Sequence, residues 1–310
     1  MKIFLVLSAL LIQSTYSYYC GENNKGMYIR YFTPHYRVCI NPDESETFFA
    51  YHRIDPREDK QSDCRRLGTW KTEIYEDVGN AYNKDDQFKT FENIGFPNMR
   101  DEKEMFFIHF HLAPSCDFKT RVAMDRTQHI ENCVPGFQKV NNGNWLFIEE
   151  RVRSTIQNKV EIITGQFGQL IMTPRNNNNV AIGPSVKMSL KNTAESKPKA
   201  QKQLPRKPRY DNIKVPEFFY KIVRDTVTME AYVIITSNDP FMKEMDMTKR
   251  MCQNDICSAN KVLKVYAKGY TYCCPFQEFT ENLKNSVYKV DFSCTGINVG
   301  NTQDSNDLPF

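Results

Sequence analysis

The chain predicts a mixed fold of strands and helix, and three stretches carry that expectation. From Met27 onward, aromatic and polar residues alternate in "MYIRYFTPHYRVCI" and then in "TFFAYHRI". That period of two predicts two strands joined by the turn-rich "NPDES". In "NNGNWLFIEERVRSTIQ", Trp145, Ile148, Val152 and Ile156 recur at spacings of three or four, which places them on one face of an amphipathic helix. Asn141 and Asn142 precede that run as candidate caps. Further on, "VEIITGQFGQLIMTP" predicts a hairpin of two short strands around Gly165 and Gly168, "VPEFFYKIVRD" resumes ordered structure, and "AYVIITSND" predicts another inner strand.

The remaining segments follow from composition. The first residues, "MKIFLVLSALLIQSTYSYYC", combine Lys2, an apolar run from Ile3 to Ile12, and small or polar residues at Thr15 and Ser17. This is the pattern of a secretory signal peptide over residues 1–17, too short to span a bilayer, and it predicts an extracellular protein. Between Asp55 and Arg100 the chain is charged and poor in aliphatic residues, with weak strand signals near Trp70 to Tyr75, so surface loops are expected. A different composition begins at Asn176: residues 175–212 read as an exposed, Pro-rich insertion, and Glu195 to Arg209 hold six basic residues against one acid. No internal repeat is visible.

All ten cysteines lie beyond the signal peptide. In a secreted chain that predicts up to five disulfides, whose pairing the spacing does not give. Cys252 with Cys257, or the adjacent Cys273 and Cys274, offer a metal site as the alternative, but without the paired spacing of a zinc ribbon. The formal net charge of +4 becomes +3 once Lys2 leaves. So mild a balance does not argue for a polyanionic partner by itself.

Two constellations could carry chemistry. His109 and His111, in "FIHFHLAPSCDF", are separated by one residue, so on a strand they share a side while Phe110 takes the other. Paired histidines can bind zinc, but no clear further ligand is nominated, and two structural histidines are the plainer reading. On the helix, eight residues turn through about 800°, bringing Glu149 to within about 80° of Asn141. An amide oxygen and a carboxylate suit magnesium, which takes few protein ligands and keeps several waters. The plainer reading here is a cap and a solvated glutamate.

The runs "HLAPSCDF", "TQHIENCVPGFQKVNNGNWLFIEERVR", "ITGQFGQL", "VPEFFYKIV" and "KGYTYCC" occur in family order and closely resemble the secreted arthropod branch of the DNA/RNA non-specific endonucleases. The resemblance covers roughly Phe91 to Leu283 and is weakest over residues 18–90. It implies an α+β fold, a central antiparallel sheet flanked by helices with a ββα-metal active site, over residues 18–295, followed by a polar tail, 296–310. It implies that His111 is the general base, that Asn141 binds a single magnesium ion, with manganese as a substitute, and that Glu149 holds metal-bound water. Asn132 matches a further active-site asparagine, and Arg153 the arginine that ends the helical motif. The partners implied are DNA and RNA, met through the phosphate backbone, and no membrane; oligomeric state is not implied.

The chemistry explains these residue types. In-line attack of water on a phosphodiester needs a base effective near neutral pH and a cation to offset charge on the phosphate and leaving oxygen. Because the target is the backbone, no base need be read.

The sequence departs from the family at one motif. Where the family has Asp-Arg-Gly or Ser-Arg-Gly before the histidine, this chain has Ile108, His109 and Phe110, and Gly136 stands where a glutamine is usual. The lost arginine would help hold phosphate, and imidazole is a poor substitute for a guanidinium fork. Two expectations follow: an active endonuclease with His109 as a weak stand-in, working better at acidic pH, or a catalytically silent nucleic-acid-binding protein of the same fold. Retention of His111, Asn132, Asn141 and Glu149 favours the first. Lys197, Lys199, Lys202, Arg206, Lys207 and Arg209 are the expected phosphate contacts of the basic insertion. A zinc or structural protein using His109 and His111 is the third and least supported expectation.

Overall fold

The protein was analysed as a computed structural model that describes residues 20, 28–32, 34–41, 44, 46–56, 64, 69–72, 79–172, 186–191, 212–286, 292, 295, 302–305 and 308. The expected signal peptide, the basic residues from Lys197 to Arg209, and most of the C-terminal tail lie outside them.

In chain order the strands are β1 (Tyr28–Phe32), β2 (Tyr36–Asn41), β3 (Glu46–Ile54), β4 (Phe107–His111), β5 (Cys133–Phe137), β6 (Val160–Phe167), β7 (Ile171–Met172), β8 (Val186–Lys187), β9 (Ser189–Lys191), β10 (Asn212–Lys214), β11 (Phe218–Asp225), β12 (Glu230–Ser237), β13 (Thr271–Pro275) and β14 (Gln303–Asp304). The α-helices are α1 (Lys84–Asn93), α2 (Arg121–Arg126), α3 (Gln138–Val140), α4 (Leu146–Thr155) and α5 (Phe276–Asn285). A central sheet runs β1-β2-β3-β6-β11-β12-β13, antiparallel throughout, with β14 added parallel to β12. This is the α+β architecture, and β4 with β5 form a separate two-stranded ribbon.

Strand alternation divides the core in two. On β11, Phe219 and Val223 join one apolar cluster with Phe110, Trp145, Ile148 and Val152, whereas Phe218, Tyr220 and Ile222 join another with Phe276, Phe279 and Leu283 of α5. The ribbon and α4 therefore lie over one face of the sheet and the C-terminal helix over the other. Lys221, between two apolar neighbours, faces the ribbon side and is only 2% exposed.

Several expectations needed revision. The predicted N-terminal pair of strands is three, because a turn at Pro34 and His35 divides the first. Residues 160–172 do not form a hairpin: β6 runs straight through Gly165, and β7 pairs with β8. Gly165 is required in mid-strand because a Cβ there would lie 2.3 Å from the Tyr220 hydroxyl, while Gly168, at φ 79°, makes the turn. The stretch between Asp55 and Arg100 contains α1, capped by Asn83, whose side chain accepts from the Asp85 and Asp86 amides at 3.0 and 3.2 Å. Asn141 and Asn142 do not cap α4. They sit in a π-helical turn, Asn141–Trp145, that joins α3 to α4 with a kink at Gly143.

The cysteines suggested as metal ligands are in disulfides, Cys252–Cys274 and Cys257–Cys273. Cys20–Cys39 and Cys64–Cys116 make four among the described residues, and Cys294 lies outside them. Among the described residues no helix is long and apolar enough to cross a membrane.

Candidate active site

The β4–β5 ribbon is held at both ends of β4 by side-chain amides. At its start, Gln87 of α1 accepts from the Phe107 amide at 2.7 Å and donates to the Phe107 carbonyl at 3.0 Å. At its end, Asn132 accepts from the Ala113 amide at 2.9 Å and donates to the carbonyls of Ala113 and Thr127 at 2.8 and 3.0 Å. The Asn132 carbonyl also takes the Leu112 amide at 2.9 Å. The Leu-Ala-Pro turn after His111 is thereby fixed, and every polar atom of the buried Asn132 side chain is engaged with backbone.

The strand assignment places His109 and His111 on one side, as expected. Both face Trp70, with ring centroids 4.3 Å from His109 and 4.9 Å from His111. His109 is stacked on its other face against Tyr82 at 3.7 Å, so the ring at the arginine position lies between two aromatic rings. Trp70 is itself anchored: the Lys71 amide donates to the Gln128 carbonyl at 3.0 Å, and the Ile130 amide to the Lys71 carbonyl at 2.9 Å.

Phe110 points the opposite way, stacked on Phe219 at 3.9 Å and packed on Trp145 at 5.1 Å. A Cβ on Gly136, across the ribbon, would lie 2.5 Å from the Phe110 ring. The two departures from the family pattern are therefore one structural change: the bulk added at Phe110 fills space that a side chain at position 136 would need.

On α4, Glu149 accepts from the Trp145 indole N–H at 2.9 Å and its second oxygen is 3.9 Å from the Arg153 guanidinium. Arg153 donates to Asp117 at 3.0 Å, and Asp117 is 2.7 Å from the ring of the buried His52 on β3. Lys221 completes the cluster from the sheet, donating to the Thr164 hydroxyl at 2.7 Å, with its ammonium 5.1 Å from the centre of the Trp145 ring. Burial acts to raise the Asp117 carboxyl, but the His52 ring, Arg153 and Lys221 outweigh it and hold the pKa at about 2. Burial lowers the His52 ring against the pull of Asp117, and lowers Lys221 against Asp117 and Glu149. Glu149 is pushed by burial to about 7, against the opposing effects of Lys221, Arg153 and the indole, with the charge of Asp117 adding to the rise.

The sequence-derived residues thus fall into two linked clusters. His109 and His111 gather on Trp70 at the ribbon, and Glu149 and Asp117 gather on Arg153. The Leu-Ala-Pro turn joins them, since Asp117 lies six residues after His111. Asn141 is half-buried on the π-helical turn, where its amide meets Asn142 at 3.5 Å, and Asn142 in turn donates to Glu104 at 2.8 Å. Among the described residues no group of three or more His, Cys, Asp or Glu could hold a metal. Asn141 and Glu149 carry an amide oxygen and a carboxylate, donor types that suit a hard divalent cation retaining most of its water rather than zinc.

Sequence reasoning missed Trp70, Tyr82, His52, Asp117 and Lys221 as parts of this arrangement. The available signals were the acid within "HLAPSCDF" and Lys221 among the apolar residues of β11, since a charge in a buried strand demands partners.

The sequence profile of the family described as DNA/RNA non-specific endonuclease matches residues 15–279. A salivary endonuclease of Lutzomyia longipalpis is 26% identical over 268 residues, covering 80% of this chain and 57% of that protein, so the chain spans just over half the length of this relative. Salivary protein Tsal2A of Glossina morsitans morsitans is 35% identical over 75 residues, 23% of this chain and 19% of that protein. Among solved structures, the EndoG/EndoGI complex, described for its mechanism of EndoG inhibition, aligns with a TM-score of 0.40 at 13% identity over 71% of this chain and 78% of that chain. With the profile extending across the central sheet, the β4–β5 ribbon and the helix of Glu149, the chain belongs to the DNA/RNA non-specific endonuclease family.

Proposed function

We propose that the protein is a secreted endonuclease that hydrolyses the phosphodiester bonds of DNA and RNA without regard to sequence, with magnesium as its cation and manganese as a substitute. The observation that carries this reading is the fixing of the strand end that bears His111, by Asn132 on one side and by the Asp117–Arg153 link to α4 on the other. His111 takes the proton of the attacking water, and Glu149 orients water at the site. Asn132 and Arg153 act as positioning residues: the first fixes the turn after His111, the second ties that turn to α4. Asn141 would hold the cation, which when bound offsets charge on the phosphate and leaving oxygen. Lys197, Lys199, Lys202, Arg206, Lys207 and Arg209 supply further phosphate contacts, as a basic segment facing a polyanion. The salivary relatives and the disulfides support secretion.

A second reading, a silent nucleic-acid-binding protein, is favoured by one observation: His109, at the arginine position, is held between Trp70 and Tyr82. The two readings separate on His111→Ala. Loss of ~10²–10⁴-fold in cleavage with binding retained supports the enzyme. Cleavage at the wild-type rate removes His111 as the base.

A further inference from the structure

The helical turn that bears Asn141 is packed against a second, lysine-bearing segment. Gly143 has no side chain where one would collide: a Cβ there would lie 2.5 Å from the Lys268 carbonyl oxygen and 2.8 Å from the Lys268 Cβ. The next residue, Asn144, is buried, and its side-chain amide donates to the carbonyls of Leu263 and Gly269. Two consecutive residues of the turn therefore fix residues 263–269 against it, one by omission of a side chain and one by hydrogen bonds.

That segment is also braced from within. The Cys257–Cys273 disulfide closes it, and Lys264 anchors it from within by donating to Asp255 at 2.6 Å and to the Thr271 carbonyl at 2.9 Å. Tyr266 and Tyr270 stack at 4.8 Å. Lys264 is committed to these contacts, whereas Lys261 and Lys268 are exposed. The segment thus presents Lys268 to solvent beside the turn of Asn141, and Lys261 to solvent at its other end.

We propose that residues 261–268 form a wall of the nucleic-acid site, with Lys261 and Lys268 binding backbone phosphates of the bound strand. This inference rests on the endonuclease reading for the identity of its ligand. A docked loop leaves little backbone to order on binding, and a lysine acts on phosphate as a point charge without reading sequence.

The test is binding of a fluorescent duplex DNA in EDTA across a salt series, by the whole mature protein and by Lys268→Gln, Lys261→Gln/Lys268→Gln and Lys268→Arg. The expected results are a salt slope shallower by about one for each lysine removed, weaker binding at fixed salt, and near wild-type behaviour for K268R. In cleavage assays the same glutamine variants should raise KM and leave kcat near the wild-type value. Wild-type protein that binds, with a double variant of unchanged affinity and slope, overturns the inference and leaves the endonuclease reading intact. Wild-type protein that binds with the expected slopes but never cuts removes the catalytic reading alone and supports this one. Wild-type protein with no affinity for DNA or RNA overturns both.

Discussion

Asn132 and His109 show how far single residues here are committed before any substrate arrives. Each polar atom of the Asn132 side chain is bonded to backbone, so Asn132→Ala would leave the Ala113 amide and the carbonyls of Ala113 and Thr127 without these partners in a buried place. The expected cost is about 3 kcal/mol, measured by urea unfolding, together with lost cleavage because the turn after His111 loosens. His109 lies between two rings, a slot that a planar guanidinium also fits. His109→Arg should therefore fold normally and raise cleavage; a folded variant with no gain would show that the missing guanidinium does not limit the rate. The roles proposed for His111, Asn141 and Glu149 come from motif order in the sequence. Trp70 and Tyr82 were not, because aromatic residues in a charged, loop-like stretch give no sign of which distant ring they meet.

At the scale of elements, the β4–β5 ribbon and α4 are joined through charge as well as packing. Asp117 follows the ribbon, Arg153 lies on α4 and His52 on β3, so a single carboxylate links three elements. The folded pKa of Asp117, about 2, lies below the unfolded value of roughly 3.9. Its contribution to stability is then fully present above the unfolded pKa and is lost as pH falls from about 4 through 2. Chemical denaturation of the wild type should show a falling midpoint across that window. Asp117→Asn should be less stable at neutral pH and show a shallower fall; an unchanged profile would remove Asp117 as the link. The helix of Glu149 was readable from its apolar period, but the π-helical turn before it was not, because its cause is a distant backbone, that of Lys268 against Gly143. The hairpin expected around Gly165 failed for a similar reason. A glycine that makes room for Tyr220 in mid-strand looks, in sequence, like one that makes a turn. The helix α1 went unread because its charged outer face dominates the composition of its surroundings, and only Phe88, Phe91 and Gln87 are buried.

For the whole molecule, a single antiparallel sheet divides two cores, one beneath the ribbon and α4, the other beneath α5. The disulfides reinforce this plan locally: Cys252–Cys274 and Cys257–Cys273 both tie the segment before residue 258 to β13, over separations of 22 and 16 residues. Removing the first by Cys252→Ser/Cys274→Ser should lower stability by about 3 kcal/mol in denaturant unfolding. A loss well under that would mean that packing alone holds the loop. The even cysteine count was legible as a disulfide framework, but the pairing depends on which strands become neighbours, which no local spacing encodes. The central claim is that this fold, despite histidine at the arginine position, still cuts nucleic acid. The most direct measurement is incubation of the mature protein with plasmid DNA and long double-stranded RNA, with magnesium or with EDTA, across acidic to alkaline pH. The account predicts magnesium-dependent cutting of both substrates that EDTA abolishes. Intact substrates at every pH, alongside a salt-sensitive gel shift of the same molecules, would contradict it and leave a binding protein of nuclease fold.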